Sequence, residues 1–138
     1  MNDTRDYGIA LLRVTLGGLI LSHGLVKLFV FTPAGTVGFF ASLGLPAIAA
    51  YATMALEVGG GLALIAGLFV RPVALLQAVL LLGTIVTVHG ANGFSFAAKG
   101  GGWEYPAFWA VTLVVLALTG PGALALRFGQ AQTAPDAA

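Results

Sequence analysis

The sequence contains no cysteine. That removes disulfides, thiolate nucleophiles, cysteine-ligated zinc and iron–sulfur clusters from the chemistry open to it. Charge is almost as scarce. Only 8% of the 138 residues are Asp, Glu, Lys or Arg, against about 25% in soluble domains, so polar groups cannot cover a water-facing surface. The net charge of +1 is too balanced to point to nucleic acid or an acidic substrate, and no nucleic-acid partner is expected. Alternation of apolar and polar residues is missing as well, which disfavours a β-barrel. What remains is 59% hydrophobic with a mean hydropathy of +0.99. The composition predicts an integral membrane protein whose first partner is the lipid bilayer.

Four apolar runs approach the roughly 20 residues a spanning helix needs: 7–31, 47–70, 73–89 (continuing to 91) and 105–119, the last beginning as early as 103. The first is too long for a signal-peptide core of about 7–15 residues and is expected to be retained as a span. Residues 69–72 form a tight turn, with Pro72 suited to the first turn of the next helix. Pro33 and Pro46 bracket an apolar stretch, 37–43, short enough to lie in the interface as a half-buried helix. A glycine-rich loop, 91–102, precedes the fourth run, and Gly120-Pro121-Gly122 ends it. The expected fold is an all-α membrane protein: a four-transmembrane-helix bundle with a short interfacial helix between spans one and two. Residues 1–6 form a short N-terminal tail, 7–122 the transmembrane domain and 123–138 a disordered C-terminal tail.

Lys and Arg counts orient the chain. Arg5, Arg13, Arg71 and Arg127 fall on one side, Lys27 and Lys99 on the other. This predicts both termini in the cytoplasm of a multi-pass inner (plasma) membrane protein.

Ionisable residues inside the apolar runs are the functional signal, because each costs about 3 kcal/mol near the bilayer centre and therefore seeks protein or water. Span one carries Arg13, His23 and Lys27, and the last two share a helix face, four residues and roughly 6 Å apart. Glu57 lies near the middle of span two, while His89 and Glu104 flank the outer ends of spans three and four. A rise of about 1.5 Å per residue places His23, Lys27, His89 and Glu104 toward the outer half, Glu57 beneath them and Arg13 deepest. The pairing expected is Glu57 accepting hydrogen bonds from Arg13, His23 or both. The structural alternatives are snorkelling of Lys27 and Arg13 to the headgroups, ordinary interfacial roles for His89 and Glu104, and a buried ion pair at Glu57. Ala55, Gly59, Ala63 and Gly67 put a small residue at every fourth position of span two, a helix-packing stripe or homo-oligomer face. No metal site is expected. His23 and His89 lie at only roughly matching depths, which speaks against haem, and the glycine triplets at 59–61 and 100–102 do not complete a dinucleotide fingerprint.

Read in order, several segments resemble the DoxX family of small membrane proteins: Leu12-Arg13 with Gly17, then His23-Gly24-Leu25-Val26-Lys27-Leu28, Phe40-Ala41-Ser42-Leu43-Gly44-Leu45-Pro46 and Leu56-Glu57-Val58-Gly59-Gly60. Gly67-Leu68-Phe69-Val70-Arg71-Pro72, Thr87-Val88-His89 with Asn92-Gly93-Phe94, Gly102-Trp103-Glu104-Tyr105-Pro106 and Leu118-Thr119-Gly120-Pro121-Gly122 continue the match. The resemblance implies four inner-membrane helices and a link to redox chemistry, since members look like the small membrane subunit of thiosulfate–quinone oxidoreductase or belong to redox-stress complexes. The leading expectation is a membrane subunit of a quinone-linked or redox-stress oxidoreductase system. Quinone is the candidate ligand, no cofactor is evident in the chain itself, and electrons would have to come from a soluble redox-enzyme partner or a bound cofactor. The alternatives are a non-enzymatic scaffold for such an enzyme, or a binding protein for lipid or another small apolar molecule.

Overall fold

The computed structural model describes residues 4–126, and Arg127 with the rest of the C-terminal segment lies outside them. Among the described residues every regular element is helical. α1 covers Thr4–Leu25 and continues as a π-helical turn over Val26–Val30. α2 is Thr32–Ser42, α3 is Ala47–Ala66, and α4 is Val70–Thr84, which also relaxes into a π turn (Ile85–His89) and then a 3₁₀ turn (Gly90–Asn92). α5 is Glu104–Thr119. Three of these stretches, Thr4–Val30, Ala47–Ala66 and Val70–Asn92, are long and apolar enough to cross a membrane; α5 is a shorter apolar helix.

Local chemistry sets most of the boundaries. Thr32 takes a positive φ of 64° and its Oγ1 accepts the Gly35 N–H at 3.2 Å, so a threonine cap and Pro33 start α2. The helix therefore begins five residues before the short apolar stretch expected from the sequence. α3 ends in a Schellman motif: Gly67 sits at φ 80°, Leu68 N–H donates to the Ala63 carbonyl at 2.8 Å and Gly67 N–H to Leu64 at 3.1 Å. Phe69, also left-handed at φ 46°, reverses the chain into α4 within three residues.

α1 packs along α3 and α4 along α5, while α3 bridges to α4 and carries α2. The core joins Leu16 and Ile20 of α1, Leu64 of α3, Ala74, Ala78 and Leu81 of α4, and Trp109, Leu113 and Leu116 of α5. Outside it, large apolar side chains such as Leu11, Val79, Val86, Phe108 and Leu118 are exposed on every long face. A water-soluble monomer does not present contiguous apolar surface of this extent. These faces suit lipid, and the chain is a membrane protein.

The α1–α3 seam is made by glycines, though not by the stripe the spacing suggested. A Cβ on Gly17 would stand 2.9 Å from the Gly61 carbonyl oxygen, and one on Gly61 would stand 2.7 Å from Leu21 N. Ala55 and Gly59 face outward, Ala63 is half-buried, and Gly67 packs against residue 125 and Arg13. The reason is angular: a four-residue step advances a helix by about 400°, so the stripe drifts roughly 40° per step and cannot keep one face over four members. Gly18, another residue of span one, also has open space around it.

Candidate functional site: a cavity closed by an ion pair

The same seam positions the charged pair. Gly24 lies so close to α3 that a Cβ there would be 3.0 Å from Glu57 Cβ and 2.8 Å from Val58 Cγ2. One turn further, Lys27 reaches across and its Nζ donates to Glu57 Oε1 at 2.8 Å. Lys27 belongs to the π turn, whose i→i+5 bond runs from Phe31 N–H to the Val26 carbonyl at 2.9 Å. Such turns are rare and concentrate at functional sites. Buried Thr36 locks α2 onto this turn, donating to the carbonyls of Lys27 at 3.1 Å and Thr32 at 3.0 Å.

Beside the pair is a cavity of about 820 Å³, well inside the ~300–1,000 Å³ range of small-molecule sites. Its walls are mostly apolar, with Phe39 and Phe40 of α2, Leu43 just after it, and Leu80 and Leu81 of α4 among the lining residues. Its polar groups include Lys27, Glu57, His23, His89, Gln77, Tyr105, Trp109 and a few threonines. His23 Nδ1 is 2.9 Å from the Leu19 carbonyl and His89 Nδ1 is 2.9 Å from the Gly101 carbonyl. A carbonyl only accepts, so each neutral ring carries its proton on Nδ1 and leaves Nε2 as a lone-pair acceptor. The two histidines are joined by a run of ring contacts along the cavity wall. His89 meets Phe96 (centroids 6.0 Å), Phe96 meets Tyr105 (5.1 Å), Tyr105 meets Trp109 (5.7 Å) and Trp109 meets His23 (5.1 Å).

Arg13 and Glu104 do not join this cluster. Arg13 is 1% exposed and turns to the other end of the molecule, where it donates to four carbonyls: Leu64 and Ile65, both at 2.7 Å, Pro121 at 2.9 Å and Ala123 at 3.1 Å. The expected Arg13–Glu57 and His23–Glu57 hydrogen bonds are therefore replaced by Arg13–carbonyl and Lys27–Glu57 contacts. The last turn of α3 offers carbonyls with no helical partner and a negative dipole end, so the guanidinium needs no carboxylate. Glu104 Oε1 accepts the Phe96 N–H at 2.9 Å. Together with Asn92, whose Nδ2 donates to Gly100 at 3.0 Å and Gly101 at 3.1 Å, it shapes the 93–104 loop that carries Phe96 to the cavity.

Gln77 is a site residue that the sequence reading passed over. It is 1% exposed, lines the cavity and donates from Nε2 to the Leu56 carbonyl at 2.7 Å. The signal was a lone amide in an apolar helix, and Gly60, where a Cβ would strike that amide, makes room for it.

A family model described as DoxX matches residues 8–90. The chain is 39% identical to "Putative oxidoreductase CatD" of Bacillus subtilis (strain 168), covering 91% of this chain and 89% of that protein. It is 32% identical to "Inner membrane protein YphA" of Escherichia coli (strain K12), over 91% of this chain and 98% of the relative. A third relative, "Inner membrane protein YqjF" of the same organism, is 29% identical over 91% and 94% of the two chains. No solved structure matches the chain significantly. The family match spans more than half of the sequence and these likenesses run along nearly all of it, so the chain belongs to the DoxX family.

Proposed function

We propose that the protein is the inner-membrane subunit of a quinone-linked oxidoreductase system, and that the cavity takes the ring of a quinone. The observation that carries this reading is the cavity itself: apolar walls closing on a Lys27–Glu57 pair, with two histidines whose Nε2 atoms can accept protons. A lysine ammonium has three N–H donors, and Lys27 spends one on Glu57. The others serve a ring oxygen, while His23, His89 and Glu57 hold and pass protons, the acid–base work that quinone reduction and quinol oxidation require. Electrons come from a soluble partner. The names of the relatives, one an oxidoreductase and two inner membrane proteins, support the same reading.

In the membrane, α1, α3, α4 and α5 form a four-span bundle with α2 lying in the outer interface. α5 is 16 residues long, roughly 24 Å at 1.5 Å per residue, and is the short fourth span. Both termini are cytoplasmic, on the side of Arg5, Arg13 and Arg71. The test is to purify the protein in mild detergent, extract its small molecules and record its optical spectrum, then measure quinone reduction by membranes with and without it. A copurifying quinone and a loss of reduction are expected. No quinone, together with unchanged reduction, overturns the proposal. A stoichiometric soluble protein retained without turnover would favour a scaffold instead.

A further inference from the structure

Two residues that line the cavity each carry a buried polar side-chain atom with no protein partner among the described residues. Glu57 Oε2 and Trp109 Nε1 are both buried and unpaired among the described residues, on side chains whose residues are 6% and 5% exposed. Leaving such groups unsatisfied is costly, by about 1–3 kcal/mol each, and both residues line the same cavity. Their chemistry is opposite. Glu57 is held as an ion pair with Lys27 through Oε1, so Oε2 is an acceptor that wants a donor. Indole Nε1–H is a donor only. A ring bearing carbonyl oxygens alone can satisfy Trp109 but sets lone pair against lone pair at Glu57. A ring bearing hydroxyls satisfies both, giving a proton to Oε2 and accepting one from Nε1.

We infer that the cavity selects the hydroxylated form of its ligand, a quinol or other phenol with an apolar chain, over the corresponding carbonyl or ether form, with Glu57 Oε2 as the group that discriminates. The apolar chain lies between α2 and α4, along Phe39, Phe40 and Leu80. This rests on the reading of the cavity as a quinone site and adds the direction of its preference. A quinone takes up two electrons and two protons to become the quinol, so a tenfold preference for the quinol raises the midpoint potential of the bound couple by about 30 mV.

The test uses redox-inert probes on the full chain in detergent micelles: 4-hexylphenol and its methyl ether, titrated calorimetrically. The phenol is expected to bind about tenfold more tightly, the size of one hydrogen bond to a charged acceptor. Glu57→Gln, whose amide can both donate and accept, collapses the ratio to within about threefold. Trp109→Phe weakens both probes alike, because both offer an acceptor oxygen, and preserves the ratio. Should Glu57→Gln fail to fold, difference infrared spectra of the native protein replace it, since phenol but not ether should shift a carboxylate stretching band. Equal binding of phenol and ether by the native protein, or a ratio unchanged in Glu57→Gln, overturns the inference while leaving a copurifying quinone, and so the proposed function, intact. Absence of binding by phenol, ether and quinone alike overturns both.

Discussion

The Lys27–Glu57 pair should respond asymmetrically to the loss of its two members. The Glu57 side chain is 7% exposed and sits mid-helix, whereas the Lys27 side chain is 20% exposed and lies in the π turn that ends the first span. Lys27→Met leaves a buried carboxylate with neither oxygen paired, a change worth about 3–5 kcal/mol. Glu57→Gln leaves an ammonium on a flexible stem that can swing toward water or headgroups, and costs about 1 kcal/mol. The difference between the single variants is then about 2–4 kcal/mol, at least some thirtyfold in the unfolding equilibrium. The double variant should resemble Glu57→Gln alone, because no charge is stranded in it, giving a coupling energy of about 3–5 kcal/mol. Reversible unfolding in mixed micelles by sodium dodecyl sulfate titration, followed by tryptophan fluorescence, measures all three. Equal costs for the two single variants, or strict additivity in the double, refutes the reasoning.

Arg13→Lys replaces a planar fork touching four carbonyls with a point charge, and should lower stability by about 2–4 kcal/mol in the same titration. Gly61→Ala forces a methyl toward Leu21 N and the Gly17 carbonyl and should cost about 1–3 kcal/mol; Gly59→Ala, in open space on the same helix, should be neutral or mildly stabilising. Glu104→Ala removes the acceptor for Phe96 N–H, and limited proteolysis should then cut the 95–101 segment faster while leaving the helices intact.

The helices were legible because the apolar runs are long and their ends carry proline or glycine. α3 begins at the residue the sequence indicated, and α5 starts one residue earlier. The depth argument also brought His23, Lys27, Glu57 and His89 to one region, and all four line the cavity. It also set Arg13 apart from that group, but the expected Arg13–Glu57 pairing failed because the partners of Arg13 are backbone carbonyls, which every residue carries and no side-chain pattern announces. It failed for Glu104 because a carboxylate at a helix start can fold back onto its own preceding loop, a local geometry that depth does not capture. Gln77 escaped because attention followed ionisable groups, although an amide buried in apolar surroundings is under the same pressure to find a partner. The π turns at Val26–Val30 and Ile85–His89 had no sequence mark; they re-aim Lys27 and His89 by one extra residue in the helical repeat.

Arg13 has a consequence that reaches beyond the fold. Its charge is spread over carbonyl dipoles, and no carboxylate among the described residues neutralises it, so one end of the molecule holds a permanent unit of positive charge within the bilayer's electric field. Moving such a charge across a whole membrane is worth about 2.3 kcal/mol per 100 mV. With that end inward, as proposed above, an energised membrane, negative inside, would favour that orientation, and a collapsed potential would release the bias. Correct insertion of newly made chains should therefore fall when the potential is dissipated, and Arg13→Met should lessen that dependence, leaving the part carried by Arg5 and Arg71.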